Sequence, residues 1–314
     1  MQLGQLGSAV SELSQLLSQA IVQPFRRSGR PGAVRTLPRA AGGGRGFSLR
    51  LRGTLWLASG AMPDDLLVDL IHEAGGRRAR AVILPAAAYA FAEAGERYRR
   101  YLRRFGMERA ETLGLSTRQQ AEDPALAAAI AGADLVALGG GQPELLLDIM
   151  AGSAAAAALL QGLQRGAAVA VFGPAVDGTG EWALSPAGTP ASGAPTGLRR
   201  ALGLLPGTLV GSAPHGAGRL AATFGAALAA SAQALLLDER TTLAVRPGWQ
   251  VEVRSGAVLA VGAPPAEPGE AHGPVAAAAP LGGVWTRVAP AGWRLDLAAG
   301  AVLPPGAAAV EPPR

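Results

Sequence analysis

The sequence predicts an α/β domain: a three-layer, mostly parallel sheet with helices on both faces and antiparallel strands added at its C-terminal side. Three observations predict it. Short apolar runs alternate with helical patterns between residues 53 and 172, the rhythm of βαβ units. Four short strand-like runs with turns between them crowd into residues 234–261. Apolar residues make up 49% of the 314, enough for a sizeable core, while only 16% are charged.

At the start, Leu3, Leu6, Val10, Leu13, Leu16, Leu17 and Ile21 recur at helical spacing with Ser and Gln between them. An amphipathic helix is expected over residues 1–25, stopping at Pro24. Its polar face is Ser/Gln rather than basic, which suits docking on its own domain or on a partner subunit better than a membrane surface. Residues 26–49 read as a basic, flexible linker.

The domain proper is expected over residues 50–262. TLWLA ending at Ala58 is a buried strand, 64–74 a helix after Met62-Pro63, and AVIL (81–84) a second strand. The helix over 91–105 sets Tyr98, Tyr101, Leu102 and Phe105 on one face, and its run of arginines reads as a solvated face. A weak strand covers 111–115, and Pro124 opens a helix over 124–131. DLVAL (134–138) runs into Gly139-Gly140-Gly141, a helical segment covers 143–165, and AAVAVF (167–172) is another strand. A helix over 219–230 precedes the strands 234–237, 242–245, 250–254 and 257–261, which turns such as Arg246-Pro247-Gly248 and Ser255-Gly256 place antiparallel at one edge of the sheet. Residues 263–280 are a Pro/Ala/Gly-rich linker, and 281–314 a C-terminal hairpin and tail, with Trp285 and Trp293 in the hairpin.

Composition removes whole classes of chemistry. There is no cysteine, hence no disulfide, thiolate nucleophile, iron–sulfur cluster or Cys-based zinc site. The three histidines are His72, His215 and His272, and a three-His metal site would need all of them; neither metal nor cofactor is expected. His72 reads as a surface or packing residue and His272 as part of a linker. All 28 basic residues are arginine; eight of them lie in residues 1–52 against one acid, Glu12. The excess positive charge therefore belongs to the N-terminal extension, and nucleic acid is expected only through residues 26–52. No apolar run reaches the ~20 residues a membrane span needs, and Met1-Gln2-Leu3-Gly4 lacks the opening of a signal peptide, so a cytoplasmic protein is expected.

In an open α/β sheet, ligands bind beyond the carboxyl ends of the strands. Here those ends carry Ser59-Gly60, Gly139-Gly140-Gly141-Gln142 and Gly173-Pro174-Ala175-Val176-Asp177-Gly178. The triglycine lacks both the Lys-Ser/Thr of a P-loop and the spacing of a dinucleotide fingerprint.

Several segments, in order, resemble the cyanophycinase-like serine peptidases, whose fold is related to class I glutamine amidotransferases. They are GTLWLASG; a helix ending in Ala74-Gly75-Gly76; AVILPAAA with Gly95-Glu96-Arg97-Tyr98; STRQQAEDP leading to ADLVALGGGQ; and RGAAVAVFG. Downstream, GTLVGSAPHGAGRL and LLLDERTTLAV are similar to the family's histidine segment and a later acidic one. The resemblance covers about residues 50–262 and implies an amidotransferase-like, flavodoxin-like sheet. It implies hydrolysis of cyanophycin or small aspartyl peptides by a Ser-His-acid triad, with the Ser on a strained strand-to-helix turn that also supplies oxyanion donors. It also implies a homodimer or an active paralogue as partner, and an acidic or arginine-containing peptide as ligand.

The chain departs from that pattern at the nucleophile. Gly173 takes the Ser position, and Pro174 removes an N–H the turn would use. The expectation is a non-catalytic homologue, a pseudoenzyme that binds a ligand or partner through Gly140, Gly141, Gln142 and Arg219. The alternative is an active hydrolase with a different arrangement around His215, Asp177 and Gln142. Two registers stay open: one matches His215 to the family histidine and Arg219 to its first downstream arginine, the other matches Arg219-Leu220 to the second arginine and leaves His215 out of place. Asp177 and Glu181 are the candidate orienting acids, and Ser185, Ser192 and Ser212 the candidate relocated nucleophiles.

Overall fold

A computed structural model describes residues 50–184, 197–212, 223, 225–227, 232–262, 285–298 and 301–306. The helix and linker expected over residues 1–49, the linker expected over 263–280 and the end of the tail lie outside the described residues, as do Ser185, Ser192, His215, Arg219 and His272.

The domain opens as the sequence predicts. Strand β1 (Leu55–Ala58) leads to helix α1 (Asp64–Glu73), and β2 (Arg80–Ala87) to α2 (Phe91–Arg104). Then β3 (Arg109–Thr112), α3 (Arg118–Ala121) and α4 (Pro124–Ala131) precede β4 (Leu135–Gly140). A capping box at Thr117 starts α3, and Asp123 caps α4 ahead of its Pro124. The helix expected over 143–165 is two helices, α5 (Pro143–Met150) and α6 (Ala154–Arg165), bent by 94° at the break. The cause is local: Gly152 has a φ of 68°, and the Ser153 hydroxyl caps α6 by accepting from Ala156 N–H at 3.2 Å. No single described helix is long and apolar enough to cross a membrane.

β5 (Ala168–Phe172) then completes a parallel block in the order β1-β5-β4-β2-β3. Both faces of this block are covered, which is why β4 and β5 are unbroken apolar runs rather than alternating ones. Helices α1 and α2 pack on one face around the wholly buried Trp56, Leu67, Leu70 and Ile83. Trp56 Nε1 donates to Glu73 Oε2 at 3.0 Å, and Arg246 joins the same carboxylate. Helices α4, α5 and α6 cover the other face, where Ile130, Leu147 and Leu159 are buried.

The second half corrects one expectation. Its strands do not form a single antiparallel edge; they divide between two sheets. β10 (Thr242–Arg246), β11 (Gln250–Ser255), β14 (Arg294–Asp296) and β15 (Ala301–Leu303) extend the first sheet antiparallel beyond β1, giving nine strands. A second sheet has the order β13-β12-β9-β8-β6-β7. It takes β9 (Gln233–Leu237), β12 (Ala257–Gly262) and β13 (Trp285–Pro290) together with β6 (Gly180–Leu184), β7 (Leu198–Arg200) and β8 (Leu205–Ser212). Around β10 and β11 the chain changes sheet at residues 238–241 and again at Gly256. There Thr241 Oγ1 donates to the Ala257 carbonyl at 2.6 Å, and a Cβ on Gly256 would stand 2.7 Å from Thr241 Cα. The closing hairpin is β14–β15, while β13 joins the second sheet. Of the helix expected over 219–230, residues 223 and 225–227 are described, and they are helical.

Candidate functional site

Three strand ends lie side by side, in the order β1, β5, β4. The β1 end is closed. Ser59 Oγ faces the carbonyls of Asp238 and Thr241 and accepts the Thr241 N–H at 3.2 Å. A Cβ on Gly60 would stand 2.2 Å from the Glu239 carbonyl. Backbone of residues 238–241 therefore occupies the space a ligand would need there.

The β4 end is shaped by a tyrosine. A Cβ on Gly139 would come within 2.4 Å of the Tyr98 ring, so only glycine lets that ring approach. Tyr98 also packs against Phe172 of β5, with ring centroids 5.6 Å apart. Burial raises the Tyr98 hydroxyl above the ordinary tyrosine range, against the pull of Arg97 and a hydrogen bond with the Gly140 backbone. Gly140 follows at φ 141°. The Gly-Glu-x-Tyr pattern thus has a packing cause at both ends, because a Cβ on Gly95 would press to 2.4 Å on Thr112 of β3. A Cβ on Gly141 would meet none of the described residues, and Gly141 is exposed. Gln142 stands at the N-cap of α5 but makes no cap bond; its Oε1 accepts from the exposed Tyr89 hydroxyl at 2.9 Å.

The β5 end is a tight turn that opens on a left-handed glycine. Gly173 leaves the strand at φ 64°, and residues Gly173–Gly178 form a 3₁₀ turn. Among the described residues, a Cβ at Gly173 would meet only the Gly140 carbonyl, at 3.7 Å, which is ordinary contact. No other described residue reaches that space, and Pro174 offers no N–H.

The far end of the same turn is locked. Asp177 is buried, and its Oδ1 accepts the Ser212 N–H at 2.6 Å. Ser212 closes β8, three residues before His215. Asp177, Ser212, Thr223, Glu144 and Arg199 line a cavity of about 20 Å³, roughly the room for one water. The other candidate acid, Glu181, is engaged elsewhere: it accepts the Gly207 N–H at 2.8 Å and pairs with Arg200. The structure thus brings Gly140, Gly173 and Asp177 to one end of the sheet, places Gly141 and Gln142 on its rim, and leaves His72 exposed on α1. Sequence reading missed the Asp177–Ser212 link and the roles of Tyr89 and Tyr98 at the β4 turn. Among the described residues, no group of three His, Asp or Glu side chains is placed to hold a metal.

No protein-family model matches the chain, and no curated protein matches its sequence. Solved structures do. A peptidase from an acI-B1 actinobacterium superposes with a TM-score of 0.52 at 18% identity, over 67% of this chain and 90% of that one. A candidate peptidase E from Listeria monocytogenes EGD-e gives a TM-score of 0.46 at 14% identity, over 64% of this chain and 98% of that one. The first likeness, together with the parallel block and its strand-end turns, shows that the chain has a peptidase-type α/β fold.

Proposed function

We propose that the chain is a non-catalytic, cytoplasmic homologue of the cyanophycinase-like serine peptidases, which keeps the cleft beyond β4 and β5 for binding. One observation carries the reading. The turn after β5 retains the left-handed residue and the open side-chain space that a serine nucleophile would use, yet holds Gly173 there and Pro174 next to it. The nucleophile and one oxyanion donor are thus missing together. The ligand suggested by the resemblance is an acidic or arginine-containing peptide, lying near Gly140, Gly141 and Gln142, with Arg219 as a further contact.

A second reading has its own support. Asp177 is buried and tied to Ser212 just ahead of the segment carrying His215, where an acid that orients a histidine would stand. That reading is an active hydrolase using His215 with Asp177.

One experiment separates them. Purified full-length protein, Gly173→Ser and His215→Ala are assayed on cyanophycin and on β-aspartyl dipeptides, with calorimetric binding of the same peptides alongside. Binding without turnover by the unaltered chain supports the first reading. Turnover that disappears in His215→Ala overturns it in favour of the second.

A further inference from the structure

Over residues 53–314, twenty arginines stand against twenty-two acids, so the domain carries no excess of positive charge. The fold separates that charge. Leu55, Val169, Val136, Val82 and Glu111 are register partners across the parallel block, which fixes where each strand begins. The segments that enter these strands, 50–54, 73–80, 103–109, 131–134 and 165–167, therefore share one end of the sheet. They carry nine arginines and three carboxylates. At the opposite end, segments 59–65, 88–93, 113–123, 141–144 and 173–179 carry seven carboxylates and one arginine, Arg118.

Each carboxylate at the basic end is already engaged. Glu73 pairs with Arg246 and Glu108 with Arg77, while Asp134 accepts the Arg80 N–H and lies 3.9 Å from Arg165. Arg80 itself pairs with Glu111. That leaves Arg50, Arg52, Arg78, Arg103, Arg104 and Arg109. All six are exposed, and none has a carboxylate within ion-pair reach among the described residues. Helix C-termini favour cations, which accounts for Arg103 and Arg104 in the last turn of α2. It does not account for Arg50, Arg52 and Arg109, which lie outside the helices, or for Arg78 in a single 3₁₀ turn.

We propose that this end of the sheet is a docking surface for the phosphate backbone of a nucleic acid. Arginine suits that ligand, because its planar fork is always charged and takes phosphate oxygens in pairs. Four strand spacings separate β1 from β3, about 19 Å, the length of about five phosphates on one strand of a duplex. The chain that precedes β1 supports the same occupant. Residues 26–49 carry six arginines and no acid, and they join the domain at Arg50, on this end. The Arg52 N–H donates to the Leu163 carbonyl at 3.1 Å, which sets the point of entry beside α6. An anionic membrane fits less well, since the surface offers it no apolar side chain to insert. The exposed large apolar residues among those described are Val68, within α1, and Tyr89 and Phe91, at the acidic end. The sequence alone confines nucleic-acid contact to residues 26–52; the fold adds arginines from three further segments. This proposal is independent of what the cleft beyond β4 and β5 binds, because the cleft lies at the other end of the strands.

The test is fluorescence anisotropy of a short labelled DNA duplex titrated with the full chain at several salt concentrations. Binding is expected, with log affinity falling against log salt at a slope steeper than about −4. Each phosphate contact contributes about 0.9 to that slope, so Arg52→Ala, Arg78→Ala and Arg109→Ala together are expected to make it shallower by about 2.7 and to weaken binding about tenfold or more. Arg103→Ala with Arg104→Ala, on a different element, is expected to remove about 1.8. Arg118→Ala, Arg200→Ala and Arg240→Ala together remove as much charge away from this end as the triple variant does, and they are expected to leave the slope unchanged. No binding at low salt overturns the proposal, as do basic-end variants that bind like the unaltered chain or a control that loses as much as they do. Capture by phosphatidylserine vesicles without binding of the duplex would overturn it in favour of a membrane surface.

Discussion

The turns after β4 and β5 stand next to each other, and both are glycine turns, but their glycines exist for opposite reasons. At Gly139 the space a side chain would take is already filled by Tyr98. At Gly173 no described residue fills that space, and the positive φ is what remains to favour glycine. A glycine required by a neighbour is architecture. A glycine with room around it among the described residues is favoured by its backbone angle alone. The Gly139-Gly140-Gly141 run therefore needs no bound anion to explain its first two residues.

The contrast can be broken most strongly at the filled turn. Gly139→Val would drive a branched side chain into a ring held between Gly139, the Gly140 backbone and Phe172. Overpacking of this kind is expected to cost about 3 kcal/mol. Denaturant unfolding checks it, and the loss should shrink in a Tyr98→Leu background, where the obstruction is gone. The same contact has a pH signature. Burial raises the Tyr98 hydroxyl, and burial together with Asp64 raises that of Tyr101. The unfolded chain then ionises first as pH climbs past the ordinary tyrosine value near 10, so stability is full below that value and falls above it. Unfolding followed from neutral to alkaline pH should show that decline, and Tyr98→Phe should reduce it.

A smaller effect is expected at the locked end of the β5 turn. Asp177→Ala leaves the Ser212 N–H without its acceptor in a part-buried place, at a cost of about 2 kcal/mol. Asp177→Asn retains an oxygen acceptor and should keep most of the stability. If the two variants unfold alike, the hydrogen bond is not what fastens β8 to the turn.

The parallel block was legible because its signals are local and periodic: apolar runs for β1, β2, β4 and β5, a proline opening α4, and a glycine triplet closing β4. The second sheet was not legible. β8 contains Pro206, Gly207 and Gly211, which read as turn residues, and β7 has only three residues. β9 and β10 are separated by residues 238–241 alone yet belong to different sheets, and strand pattern does not encode which sheet a strand joins. At the site, Gly173 and Pro174 could be read from the sequence because an alternative residue type was expected there. The tie from Asp177 to Ser212 spans 35 residues and exists only in three dimensions. The break between α5 and α6 did leave a trace, Gly152-Ser153, a left-handed residue followed by a cap.

The smallest effect should come from the open turn, and it tests the comparison directly. Gly173→Ala adds a methyl group where the nearest other atom among the described residues, the Gly140 carbonyl oxygen, is 3.7 Å away, so none of them imposes a packing penalty. What remains is the left-handed backbone at φ 64°, which costs an ordinary residue about 1 kcal/mol. Gly173→Ser should cost the same, since its hydroxyl points into the same open space. Stability losses near that value in both variants, well short of Gly139→Val, would show that the turn still accepts a nucleophile. A loss as large as that of Gly139→Val would mean that Gly173 is as architectural as its neighbour, and the idea of a vacated serine position would fall with it. Under the proposed reading activity need not return with the serine, because Pro174 offers no N–H.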